Sequence, residues 1–87
     1  MYTRSEVLKI VKNAVTETFD LTEEITNDDL SFRDDLDADS IDLASLILVL
    51  EEDFSAEIDE EKVVDFVTIN KVVDYIMKQQ EFPIKEA

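Results

Sequence analysis

The stretch "DDLDADSID", Asp34 to Asp42, sets five aspartates around one hydroxyl, Ser40, and runs straight into "LASLILVL", the most apolar segment of the chain. Three readings compete for these residues: a calcium loop, a serine nucleophile, or the polar start of a helix. Asp35, Asp37 and Asp39 alternate as the first three ligands of a helix-loop-helix calcium site do. Counted from Asp35, however, the sixth position holds Ser40 where the turn needs glycine, and the twelfth holds Leu46 where a bidentate glutamate is needed. A serine nucleophile needs a base beside it, and the chain contains no histidine. On the residues alone, Asp39 is an N-cap, Ser40 opens a helix, and Asp42 three positions on completes an acidic capping box.

Composition narrows the classes further. The 87 residues are 45% hydrophobic, enough for one small domain, expected to span 1–87 with a frayed tail over 82–87. There is no glycine and one proline, so the punctuation that hairpins need is missing while helix formers abound, which predicts an all-α fold. No cysteine is present, so any thiol chemistry must be imported. The net charge of −15 opposes binding to nucleic acid and favours partners with basic patches. The longest nearly apolar run, Leu43 to Leu50, falls far short of the ~20 residues of a membrane span, and "MYTRSEVLK" has no signal-peptide core, so a monomeric cytoplasmic protein is expected.

Periodicity predicts a four-helix bundle, three longer helices and a short third one, with a long loop between the first two. The first helix begins at Thr3, which followed by Glu6 fits a capping box, and carries Val7, Leu8, Ile10, Val11, Ala14, Val15 and Phe19 on one side. From Asp20 to Asp39 the pattern fades; a connection of that length is functional or hides a turn of helix, with Leu21, Ile25, Leu30, Phe32 and Leu36 as its pegs to the core. The second helix runs from Ser40 to Phe54, the short third over Asp59 to Phe66, and the last after Thr68, with an Ile69, Val72, Val73, Ile76, Met77 stripe and a stop by Pro83.

The second helix has two apolar stripes. Leu43, Leu46, Ile47, Leu50 and Phe54 share one face; Ile41, Ala44 and Leu48 share another, beside the polar Ser45 and Glu52. Either the second stripe is a docking surface rimmed by acids, or the helix is buried all round.

From Leu36 to Ile76 the chain resembles the acyl carrier proteins of bacterial fatty-acid and polyketide synthesis. The family's Asp-Ser-hydrophobic signature corresponds to Asp39, Ser40 and Ile41, followed at the family's spacing by "LEEDF" and by the "DYI" of the last helix. The resemblance implies that Ser40 receives 4′-phosphopantetheine from coenzyme A through a phosphopantetheinyl transferase. The chain would then be a non-catalytic carrier, holding acyl groups as thioesters for acyl-transferring and chain-elongating enzymes. It further implies that Asp39, Asp42 and Glu52 meet basic patches while Ile41, Ala44 and Leu48 give apolar contact. By position the acyl pocket would be lined by Leu46, Leu50, Phe54, Ile58, Val63, Phe66 and Ile76, and the bulk of Phe66 would make it shallow.

Two positions depart from the family pattern. Asp37 stands where the family has the glycine of "GADSL", so the backbone there must avoid a left-handed conformation or bear its cost. Ser45 stands where many members carry an acid on the recognition helix. Two other readings stay open: a carrier of amino acids, peptidyl or D-alanyl, using the same serine, and an unmodified adaptor docking partners through Ile41, Ala44 and Leu48.

Overall fold

The computed structural model describes residues 2–81, which form α1 (Arg4–Thr18), α2 (Phe32–Leu36), α3 (Ser40–Phe54), a 3₁₀ helix (Glu60–Asp65) and α4 (Ile69–Glu81). The all-α class is as the sequence predicts, with two refinements. The long connection holds the five-residue helix α2. The short third element is a 3₁₀ helix: Lys62 N–H donates to the Asp59 carbonyl and Phe66 N–H to that of Val63, the i to i+3 pattern of a short segment squeezed between two turns. The expected stop at Pro83 and the fraying of 82–87 lie outside the described residues.

Side-chain caps begin each element. Glu6 N–H donates to Thr3 Oγ1 at 3.2 Å and Thr3 N–H to Glu6 Oε1 at 2.8 Å, the reciprocal box at the start of α1. Asp34 N–H donates to Ser31 Oγ ahead of α2, Glu61 N–H to Asp59 Oδ1 ahead of the 3₁₀ helix, and Lys71 N–H to Thr68 Oγ1 ahead of α4. Each cap satisfies a first-turn donor that would otherwise lack a partner, worth typically ~1 kcal/mol.

α1 packs against α3 and α4, and α3 against the 3₁₀ helix. Val7, Val11, Ala14 and Val15 of α1 meet Leu46, Ile47 and Leu50 of α3 and Ile69, Val72, Val73 and Ile76 of α4 in one buried cluster. Burying each such aliphatic side chain contributes ~1.5–3 kcal/mol, which makes this cluster the main source of stability. Ile25, Phe32 and Ala38 carry the connection into the same core, and the Phe32 ring stacks on Phe19 at 6.4 Å.

The connection is also tied down through its backbone. Phe32 N–H donates to the Val67 carbonyl, Ile69 N–H to that of Leu30 and Asn70 N–H to that of Asp28, around an antiparallel bridge between Ser31 and Thr68. The Asn70 amide adds a bond to Asp29 Oδ1 at 2.6 Å. Lys12 reaches Asp28 at 2.7 Å, and Arg4 reaches Asp74 at 2.8 Å. The bonds at Asp28, Leu30 and Phe32 fix where α2 begins, and the Arg4–Asp74 pair ties α1 to α4.

Asp37, Ala38 and Asp39 join α2 to α3. Asp37 has φ 53 and ψ 39, so the non-glycine residue does take the left-handed conformation; Asp20 and Ser55 do the same at φ 53 and 51. In a chain without glycine, small polar residues fill these corners because they tolerate that region better than other side chains. Ala38 then points into the core, with its N–H on the Phe32 carbonyl at 2.9 Å. Asp37→Gly should leave thermal stability unchanged or raise it, whereas Asp37→Val should cost roughly 1–2 kcal/mol, a Tm drop of about 4–8 °C per kcal/mol. Equal melting of the two variants by circular dichroism would contradict a left-handed Asp37.

Candidate cofactor-attachment site at the start of α3

Ser40 is the first residue of α3 and is exposed. Asp39 caps the helix: Asp42 N–H donates to Asp39 Oδ1 at 2.9 Å, and Asp39 N–H donates to Asp42 Oδ2 at 3.1 Å. The Asp42 N–H is thus already engaged, so an anion on Ser40 would share the first turn with two carboxylates. The other aspartates have structural partners or duties too: Asp35 accepts the Ser31 N–H at 2.8 Å, and Asp37 turns the corner.

Ser40 borders two concavities. One, of about 430 Å³, lies between α2 and the 3₁₀ helix, with Phe32, Ala38, Leu43, Phe66 and Val67 among its apolar lining and Arg33 and Asp34 among its charged lining. The other, of about 260 Å³, lies between α3 and the 3₁₀ helix and is lined by Ala44, Ile47, Leu48, Glu51 and Val63. An exposed hydroxyl at the mouth of two largely apolar grooves suits a slender group attached at one end.

The two stripes of α3 separate as the docking alternative requires. Leu46, Ile47 and Leu50 are buried, with Leu43 and Phe54 half-buried; Ile41 and Leu48 remain 74% and 67% exposed, and Ala44, Ser45 and Glu52 are also at the surface. The helix is not buried all round. Val64 and Val67 extend the exposed apolar surface across from α3, at 77% and 52%. Sequence reasoning passed over this pair; the signal was "KVVDFV", more apolar residues than a single 3₁₀ turn can bury.

The seven residues expected to line an acyl pocket are distributed unevenly. Leu46, Leu50, Ile58, Phe66 and Ile76 belong to the buried core, and Val63 packs half-buried against it. Val63 borders both concavities beside Ser40, and Phe66 borders the larger one while meeting the Tyr75 ring edge-on at 5.3 Å. Phe54 instead packs edge-on against Tyr2, also at 5.3 Å. Arg33, brought to the larger concavity by α2, was not among the expected site residues, because nothing in its local pattern distinguishes it from a solvated charge.

Residues 9–76 match the family described as "Phosphopantetheine attachment site". The chain is 36% identical over 77 residues to the acyl carrier protein of Rubrobacter xylanophilus, covering 88% of this chain and 95% of that protein. It is 35% identical over 78 residues to that of Lactobacillus johnsonii (90% and 98% covered), and 41% identical over 69 residues to that of Buchnera aphidicola from Acyrthosiphon pisum (79% and 86%). The chain belongs to the acyl carrier protein family. It is a carrier protein, and its prosthetic group is a covalently attached phosphopantetheine. Among the described residues no helix is long and apolar enough to cross a membrane.

The cap at Ser40 carries a pH signature. Hydrogen bonding from the Asp42 backbone N–H lowers the Asp39 pKa below its ordinary value, against a smaller opposing effect of desolvation. A folded pKa below the unfolded one means that the cap's contribution is present above about pH 4 and is lost as pH falls through the folded value. Asp39→Asn keeps an acceptor but does not titrate there. The stability advantage of the wild type over Asp39→Asn, read from urea midpoints, should therefore shrink between pH 5 and pH 3; a constant difference would show that the carboxylate is not preferentially ionised in the fold.

Proposed function

We propose that Ser40 is the attachment point of the phosphopantetheine group and that the chain presents acyl intermediates to fatty-acid or polyketide-type enzymes. The observation that carries this reading is the exposed Ser40 hydroxyl on the first turn of α3, between two apolar grooves and within the matched residues 9–76. The group supplies the thiol on which acyl cargo is held as a thioester, a function that a chain without cysteine cannot provide itself. The chain's own residues position it: Asp39 and Asp42 fix the first turn of α3, and Ala38 anchors the preceding corner in the core. The names of the relatives favour acyl over aminoacyl cargo.

A phosphopantetheinyl transferase and the acyl-handling enzymes are its proposed partners. Exposed Ile41, Ala44 and Leu48 offer them apolar contact, while Asp39, Asp42 and Glu52 attract basic patches. For the acyl end, the reading favours entry past Val63 and Phe66 toward Leu46, Leu50, Ile58 and Ile76. Phe54, engaged by Tyr2, borders neither of the concavities beside Ser40.

Incubation with coenzyme A, magnesium and a promiscuous transferase should raise the intact mass by one phosphopantetheine in the wild type and not in Ser40→Ala. Equal labelling of Ser40→Ala, or no labelling of the wild type, would overturn the assignment. Acyl groups of increasing length on the loaded chain should move the Val63 and Phe66 amide resonances until the interior is filled.

Docking should divide by salt. Electrostatic steering acts mainly on association and is screened within ~10 Å at 0.1 M, whereas apolar contact is not screened. Leu48→Ala should weaken a cognate enzyme at every ionic strength, and Glu52→Lys chiefly at low salt. The same salt dependence in both variants would contradict this division.

A further inference from the structure

The charges around Ser40 are unbalanced in a way that singles out one residue. A phosphodiester on Ser40 Oγ would bring a negative charge next to Asp39 and Asp42, and the reciprocal box between these two already occupies the Asp42 N–H. The positive end of the α3 dipole is therefore partly spent on a carboxylate before any phosphate arrives. Arg4 and Lys12, two of the eight basic residues, are held by Asp74 and Asp28. Of the two concavities that Ser40 borders, the larger includes a cation in its lining, Arg33, and the smaller has only Glu51 as a charged lining residue.

Among the described residues Arg33 makes no ion pair, although Asp34 lines the same concavity and carboxylates outnumber bases 23 to 8 in the chain. Phe32 beside it, buried at 1% exposure and bonded through its N–H to the Val67 carbonyl, sets the backbone from which the exposed Arg33 side chain reaches. A planar guanidinium is well suited to two parallel hydrogen bonds with phosphate oxygens, at N···O distances of about 2.7–2.9 Å.

From this placement we infer that Arg33 anchors the phosphodiester of the attached group and so steers the arm into the groove between α2 and the 3₁₀ helix, over Leu43, Val64 and Val67. The inference rests on attachment at Ser40 and adds a direction to it: the arm leaves the α3 docking stripe of Ile41, Ala44 and Leu48 uncovered for a partner.

The experiment uses the full chain loaded by a transferase, with loading verified by mass, in the wild type, Arg33→Gln and Arg33→Lys. Arg33 is exposed, so neither variant should impair folding. Loading the wild type should shift the Arg33 Nε–H resonance and the Val64 and Val67 amides. Arg33→Gln should lose most of the amide shifts and move the ³¹P resonance toward that of free phosphopantetheine, and Arg33→Lys, charged but not bidentate, should fall between. A wild-type ³¹P resonance identical to that of Arg33→Gln, or an unshifted Arg33 Nε–H on a fully loaded chain, would overturn the anchor while leaving attachment intact. Slower loading of Arg33→Gln with unchanged spectra once loaded would also overturn it, since that pattern belongs to a transferase contact. A wild type that gains no mass overturns the attachment reading itself, and the anchor with it.

Discussion

The pairing of 28–32 with 67–70 holds the candidate site in place. Without it, the connection between α1 and α3 would be a long mobile loop whose ordering costs ~1–2 kcal/mol per residue in backbone entropy. The backbone bonds from Phe32, Ile69 and Asn70 recover part of that cost, and burial of Ile25 and Phe32 recovers more. The clamp lies immediately ahead of α2 and so fixes where that helix starts. The three residues after α2 then deliver Ser40 to the surface at the start of α3.

The heavy acidity is reconciled with a stable fold by keeping the acids at the surface and giving several of them backbone duties. Among the described residues no polar or charged residue is fully buried, although the Thr18 hydroxyl oxygen is. Asp39, Asp42, Asp35 and Asp59 accept backbone N–H groups at the beginnings of helices, and Glu51 Oε2 accepts the Ile58 N–H at 2.7 Å to close the turn after α3. Negative charge at helix starts also suits the dipole. Under the proposed docking the same acids also attract basic partners, so the side chains that organise the helices would in part be those that recruit enzymes.

α3 serves the core and the surface at once. Its inner face closes the hydrophobic cluster, which keeps the helix rigid, while Ile41 and Leu48 remain exposed at some cost to solubility. Under the proposed function such a fixed platform limits the conformational entropy lost at each encounter with a partner.

Much of this was readable from the amino-acid order, because the governing physics is local. The Thr3 and Asp39 capping boxes, the extent of α3, its two stripes and the stripe of α4 follow from hydrogen-bond reach over three residues and from helical periodicity. The missing glycine pointed to helices, and the run from Leu36 to Ile76 pointed to the family. The conformation of Asp37 stayed open, since an aspartate can avoid or accept the left-handed region and only the fixed ends of α2 and α3 require it. Ala38 gave no sign of being a core residue, and Arg33, Val64 and Val67 gave none of flanking Ser40. Those facts depend on the long-range backbone clamp, whose bonds join residues 35 to 42 positions apart, and on the 3₁₀ helix lying against α3, contacts that no short-range pattern encodes.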